Sequence, residues 1–195
     1  MVTGYLLHLE KMKIVRVLPS GQVVLCSDTS RINRGEVYYL NQEYIYRVMP
    51  CVFFHLNGNS RRLAPQEMQH LVDKFGFAYH IENATLASRG AEDARIYSAD
   101  HSFIAGAQSS FTKEVWYKIR EYTLDFNTPN KVANALQIDL TQLFTLLIAV
   151  SSWLTFNGGD WFVYGLFTTA VTLQPPTRVR LFADENLVLD ELIRS

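Results

Sequence analysis

TPNKVANALQIDLTQLFTLLIAVSSWLTFNGGDWFVYGLF, residues 128–167, is the stretch on which the fold turns. Pro129 stands where a helix opens, and Asp139 is placed to cap the next one. The run predicts a helix over 130–137, a tight turn, and a second helix over 140–153. Trp153–Phe156, the loop Asn157-Gly158-Gly159-Asp160 and Trp161–Leu166 then read as a hairpin. Between Val132 and Thr177 there is no Lys or Arg, so the second of these helices offers no basic surface.

The flanks extend the same pattern. Upstream, Ser110 makes an N-cap for a helix over 112–126 whose inner face is Val115, Ile119, Tyr122 and Phe126. Downstream of Pro175-Pro176, a strand runs from Thr177 to Phe182, and Asp184 caps a brief terminal helix reaching Ile193. Earlier still, Pro65 opens a helix with the stripe Met68, Leu71, Val72 and Phe75, stopped by Gly76. Between Phe77 and Ser110 the periodicity fades.

Residues 13–56 differ in character. KIVRVL, QVVLCS, EVYYL, EYIYRVM and CVFFHL are β-branched or aromatic runs separated by turn residues, among them Met49-Pro50. Five short strands in this span predict a small barrel of the SH3-like or OB-like kind. Its basic residues Arg31, Arg34, Arg47, Arg61 and Arg62 accompany Tyr38, Tyr39, Tyr44 and Tyr46, the composition of a nucleic-acid-binding face. The strand period puts Tyr44 and Tyr46 on the face opposite Arg47, which leaves a solvated basic rim as the plain alternative.

Bulk properties fit a globular chain. Of 195 residues, 48% are hydrophobic and 19% charged, with a net charge of −1. Residues 1–62 hold eight Lys/Arg against four Asp/Glu, so the basic surface belongs to the N-terminal third. Cys26 and Cys51 make neither a disulfide framework nor a metal-ligand pair, and the start MVTGYLLHLEKMKIV lacks the order of a signal peptide. A reduced, cytoplasmic (intracellular) setting is expected. Leu140–Leu173 contains one charged residue, Asp160, but the glycine loop divides it into pieces of 17 and 13 residues, which argues against a membrane span.

Three helices followed by a hairpin resemble the winged helix-turn-helix superfamily over residues 112–168. Val132 and Ala133 fall where its second helix packs tightly, and Leu143 and Leu146 where its third faces the core; Gln137 stands at the turn position that often carries glycine. In members that bind DNA the third helix enters the major groove. Here that face would be Thr141, Phe144, Thr145 and Ile148, none of which reads a base edge bidentately. The resemblance therefore implies a protein-contact module, with Thr141, Phe144, Thr145, Ile148, Trp153 and Trp161 as partner-binding residues, unless the same face is simply core.

His80, Glu82, Asp93, Asp100 and His101 lie in the irregular middle. They offer a metal-dependent hydrolase as an outside reading, without an HExxH, CxxC, GxSxG or phosphate-loop motif to support it.

The expected architecture is α+β: a five-stranded barrel-like unit over 1–60, a helical and irregular connection over 61–110, and a winged-helix-like unit over 111–195. The expected role is a non-enzymatic regulatory or assembly protein that docks on a partner or itself, with nucleic acid met at the N-terminal face. The alternative is a structural subunit of a virion or secretion-type complex. Neither reading calls for a cofactor, a metal or a small-molecule substrate.

Overall fold

The computed structural model describes residues 12–17, 23–27, 31–32, 38–88, 102–119, 121–125, 132–135, 139–166 and 171–194. In chain order the elements are β1 (Lys13–Val17), β2 (Val23–Ser27), β3 (Arg31–Ile32), β4 (Tyr38–Tyr39) and β5 (Tyr46–Leu56). A 3-10 turn at Pro65–Glu67 leads into α1 (Met68–Leu71), β6 (Val72–Asn83), α2 (Ala84–Ser88), β7 (Phe103–Ser110) and α3 (Lys113–Trp116). Then come β8 (Glu121–Asp125), β9 (Val132–Ala135), α4 (Leu140–Ser151), β10 (Trp161–Gly165), β11 (Val171–Thr172), β12 (Thr177–Ala183) and β13 (Asn186–Arg194).

Two sheets result. The larger has eight strands in the order β2-β1-β10-β5-β6-β7-β3, with β11 also pairing β5; the smaller has five, β4-β13-β12-β8-β9. Pairing is antiparallel except at β1–β10, β3–β7 and β4–β13. The strands β5 and β6 form the middle of the large sheet and are buried on both faces. This is why CVFF and FAYHI read as continuous apolar runs rather than as alternation. One face, carrying Val52, Phe54, Phe75, Phe77 and Tyr79, joins a core with Val179, Leu181 and Ile193 of the small sheet and Leu143, Leu147 and Val150 of α4. The other face holds a second cluster around Cys51, Phe53, Phe103 and Trp161.

Several expectations are overturned. The N-terminal strands form no closed barrel among the described residues; β1, β2, β3 and β5 sit in an open sheet with β2 and β3 at its edges, and β4 lies at the edge of the other sheet. Pro50 is no turn. The β5 strand runs straight through it, and its carbonyl accepts from Leu166 N at the gap between β10 and β11, where a missing N–H leaves no strand unpaired. The helix expected over 65–75 stops at Leu71, because Phe75, Phe77, Tyr79 and Ile81 are the inward residues of a strand.

The winged-helix-like unit is absent as well. The helix expected over 112–126 survives only as α3, and β9 runs through the place of the second. Only the third stands, as α4, where Asp139 Oδ1 accepts from Thr141 N at 2.9 Å. The expected hairpin is also not one: β10 pairs with β1 and β5. Asp184 caps no helix but sits at φ +53 in the turn into the strand β13. Strands from all three stretches assigned to separate units meet in the large sheet: β1, β6 and β10.

Candidate active site

Register across the large sheet sets out a row of side chains. Ile14 lies opposite Trp161, Trp161 opposite His55, His55 opposite Lys74 and Lys74 opposite Ser110. Residues so paired point to one face. The neighbouring row is Arg16, Val163, Phe53, Gly76 and Gln108. Phe53 and Trp161 stack at 4.5 Å with 8° between their planes, and make an apolar floor beside His55. Gly76 is required beneath it: a Cβ there would come within 2.6 Å of the Phe53 ring.

A β-bulge supplies the chemistry. His55 pairs with Lys74 but Leu56 pairs with Val72, so Asp73 is the extra residue. The bulge turns its carboxylate toward the histidine, whose Nδ1 donates to Asp73 Oδ1 at 2.5 Å. In a neutral imidazole that bond puts the proton on Nδ1 and the lone pair on Nε2, the arrangement of a general base with its orienting carboxylate. His55 keeps 21% of its side-chain surface and Asp73 30%, so the pair stands at an open edge rather than in sealed core. Lys74 is exposed and forms no ion pair among the described residues.

The glycine loop holds this end of β5 still. Asp160, 1% exposed, accepts from the Lys13 and Asn157 backbone N–H groups at 2.8 Å, and Leu56 N donates to the Asp160 carbonyl. The acidic group that sequence would assign to a wing is thus a structural clasp beside the dyad.

Deeper on the same face, Arg16 Nη1 donates to His80 Nδ1 at 2.8 Å, with both residues at most 1% exposed. Cys51 lies within reach of the Arg16 charge. Burial pushes the Cys51 thiol up to about 11, against the pull of Arg16 and of a backbone hydrogen bond at His80.

The residues singled out from sequence are scattered. Arg47 pairs with Glu82 at 3.8 Å at one end of β5, while Arg61 and Arg62 are exposed beyond its other end, about 30 Å away along the strand. Arg31 lies on the edge strand β3; Arg34, Asp93, Asp100 and His101 lie outside the described residues. Thr141, Thr145 and Trp153 are exposed, Phe144 and Ile148 pack partly into the core, and Trp161 is buried. His80 and Glu82 thus have separate partners, and no group of three or more His, Cys, Asp or Glu placed to hold a metal occurs among the described residues. His55 and Asp73 were not legible as a site: 18 residues separate them, and only the β5–β6 pairing and its bulge bring them together.

No protein-family model and no curated protein matches the sequence. Solved structures do match the fold. A Yersinia pestis CO92 protein named for the fumarylacetoacetate hydrolase family superposes with a TM-score of 0.80 at 11% identity, over 94% of this chain and 92% of that one. The fold is that of the fumarylacetoacetate hydrolases. A yeast protein named for the same family gives 0.73 at 13% identity over 94% and 92% of the two chains. The 2-hydroxyhepta-2,4-diene-1,7-dioate isomerase of Mycobacterium marinum gives 0.73 at 12% over 95% and 75%.

The fumarylacetoacetate hydrolase fold replaces the winged-helix resemblance. With it go the non-enzymatic regulatory or assembly role, the virion or secretion-type role, contact with nucleic acid and the lack of a small-molecule substrate. The neighbours that share this fold carry names of hydrolases and isomerases. No helix among the described residues is long and apolar enough to cross a membrane.

Proposed function

We propose that this chain is an enzyme that moves a proton on a small unsaturated oxo or hydroxy acid, with His55 as the base and Asp73 as its orienting partner. The observation that carries the reading is the 2.5 Å bond between His55 Nδ1 and Asp73 Oδ1 at the open edge of an apolar floor. Nε2 would take the hydroxyl proton of a dienol and return a proton to carbon, which turns enol into ketone with no change of oxidation state and no leaving group. Asp73 would stabilise the imidazolium formed between the two transfers. Lys74 and Ser110, next along the row, suit a carboxylate or the developing enolate oxygen.

The substrate class is supported by the likeness in fold to the Mycobacterium marinum isomerase, whose name specifies a hydroxydiene dioate. The two buried cysteines, neither of them in a disulfide, support an intracellular setting.

The test is the loss of dienol absorbance when 2-hydroxyhepta-2,4-diene-1,7-dioate is mixed with the protein, with and without added divalent cations. Turnover is expected to fall on the order of a hundredfold in His55→Gln, and in the same direction in Asp73→Asn. A wild-type rate equal to the uncatalysed one, or a fully active His55→Gln, removes the proposal.

A further inference from the structure

At the end of β5 remote from His55, a hollow of about 280 Å³ opens between the ends of β4 and β11 and the start of β5, where the two sheets come together. Leu40 and Leu173 give it apolar walls, Tyr44 and Tyr46 its rings, and Asn41 and Gln42 two carboxamides. No charged side chain lines it among the described residues. A few neutral polar groups set in apolar walls are the composition of a small-molecule site. The volume falls just under the roughly 300 Å³ at which drug-sized sites begin, which suits a single ring.

Backbone hydrogen bonds frame it. Leu40 N donates to the Arg194 carbonyl at 2.8 Å, Tyr44 N to the Asn41 carbonyl at 3.2 Å and Leu173 N to the Tyr46 carbonyl at 2.9 Å. Asn41 Oδ1 accepts from Glu43 N at 2.9 Å, which leaves the Asn41 NH2 group to donate. The Gln42 carboxamide and the Tyr44 hydroxyl have no hydrogen bond among the described residues. Burial pushes the Tyr46 hydroxyl above its ordinary 10, against the pull of the Asn41 backbone, so it meets a ligand protonated. The two tyrosine rings stand at 85° with centroids 6.4 Å apart. Rings so crossed cannot sandwich a flat heterocycle. A puckered ring can lay its C–H face on one of them and turn its hydroxyls to the carboxamides.

We propose that this hollow is a second ligand site, separate from the His55 dyad, for an uncharged polyhydroxylated ring, a single hexose unit. The C–H face of the sugar lies on the Tyr44 ring, and its hydroxyls meet the Asn41 and Gln42 carboxamides and the Tyr46 hydroxyl. An anionic sugar gains nothing from this lining, and Glu43, between Gln42 and Tyr44 in sequence, is acidic and exposed. His55 lies about 30 Å away along β5, so one small molecule cannot touch both sites.

Ligand-observed NMR titration with the methyl glycosides of glucose, galactose and mannose tests this, with cyclohexanol and adenosine as comparisons. At least one glycoside is expected to saturate with a Kd on the order of 1 mM. Cyclohexanol, which keeps the ring but only one hydroxyl, should bind at least about tenfold more weakly, and adenosine more weakly than the glycoside. Tyr44→Ala should weaken the glycoside by about tenfold, with unchanged circular dichroism as the check on folding. Gln42→Ala, at an exposed position, should weaken it by about fivefold. His55→Gln should bind as wild type does. No saturable binding of any of the three glycosides, equal binding of cyclohexanol, or binding untouched by both hollow variants overturns the proposal. So does tighter binding of adenosine, which would make the hollow a site for a flat base. Binding lost only in His55→Gln also overturns it, since the sugar would then sit at the dyad.

Discussion

Cys51 has no exposed surface, and its Sγ donates to the Met49 carbonyl at 3.4 Å. A thiol held near 11 stays protonated at neutral pH and reacts slowly. An aromatic disulfide reagent at about pH 8 should therefore label Cys51 and the also buried Cys26 only after denaturant is added. Rapid labelling of native Cys51 would mean that this face of the sheet opens. Gly76 teaches the complementary lesson. In the sequence it passes for a helix stop, yet it is a strand residue whose missing side chain makes room for the Phe53 ring. The same glycine fits either reading until the partner across the sheet is known.

Elements were legible where their signal was short-ranged. The β-branched runs of β1 and β2, the alternation of β12 and the Asp139 cap of α4 all survive. The losses share a cause. Residues 68–75 carry a helical stripe, and 75–81 carry apolar residues two apart, so one segment satisfies both periods; pairing with β5 decides for the strand. At the C-terminus, Asp184 resembled a helix cap, but the backbone beyond it pairs with β12 and β4. That hairpin has its own pH signature. Arg178 Nε donates to Asp190 Oδ1 at 2.6 Å, and this bond holds the Asp190 carboxyl below its ordinary 3.8. A carboxyl lowered on folding adds stability above its unfolded value, lost as pH falls through the folded one. Asp190→Asn should lower the urea midpoint at pH 7, by an amount that shrinks as pH falls through the folded value of the wild-type carboxyl. A gap that persists in acid would mean that the pair acts through packing rather than charge.

At the scale of the molecule, α4 tests whether the chain is one body. Phe144, read from sequence as a partner contact, has its ring 6.4 Å from Phe54 and 6.0 Å from Phe111, so the helix is bolted to the large sheet by aromatic contacts. Phe144→Glu should cost about 3–5 kcal/mol and shift a single unfolding transition seen alike by fluorescence and circular dichroism. An unchanged midpoint accompanied by a smaller mass in solution would return that face to an interface between chains.

The position of β10 sets when this protein is complete. Ile14 pairs with Trp161 across 147 intervening steps of chain, and β10 lies between β1 and β5 rather than at a margin. As the polypeptide leaves the ribosome, both flanking strands are finished long before the strand that separates them exists. Until then β1, with only β2 beside it, and β5, with only β6, each present an open apolar edge, able to pair wrongly with each other or with another nascent copy. Closing so long a loop also makes assembly slow relative to a fold of local contacts. A stop codon anywhere before Trp161 therefore removes the strand that joins β1 to β5, and the shortened product gains two raw edges inside the sheet in addition to those at β2 and β3.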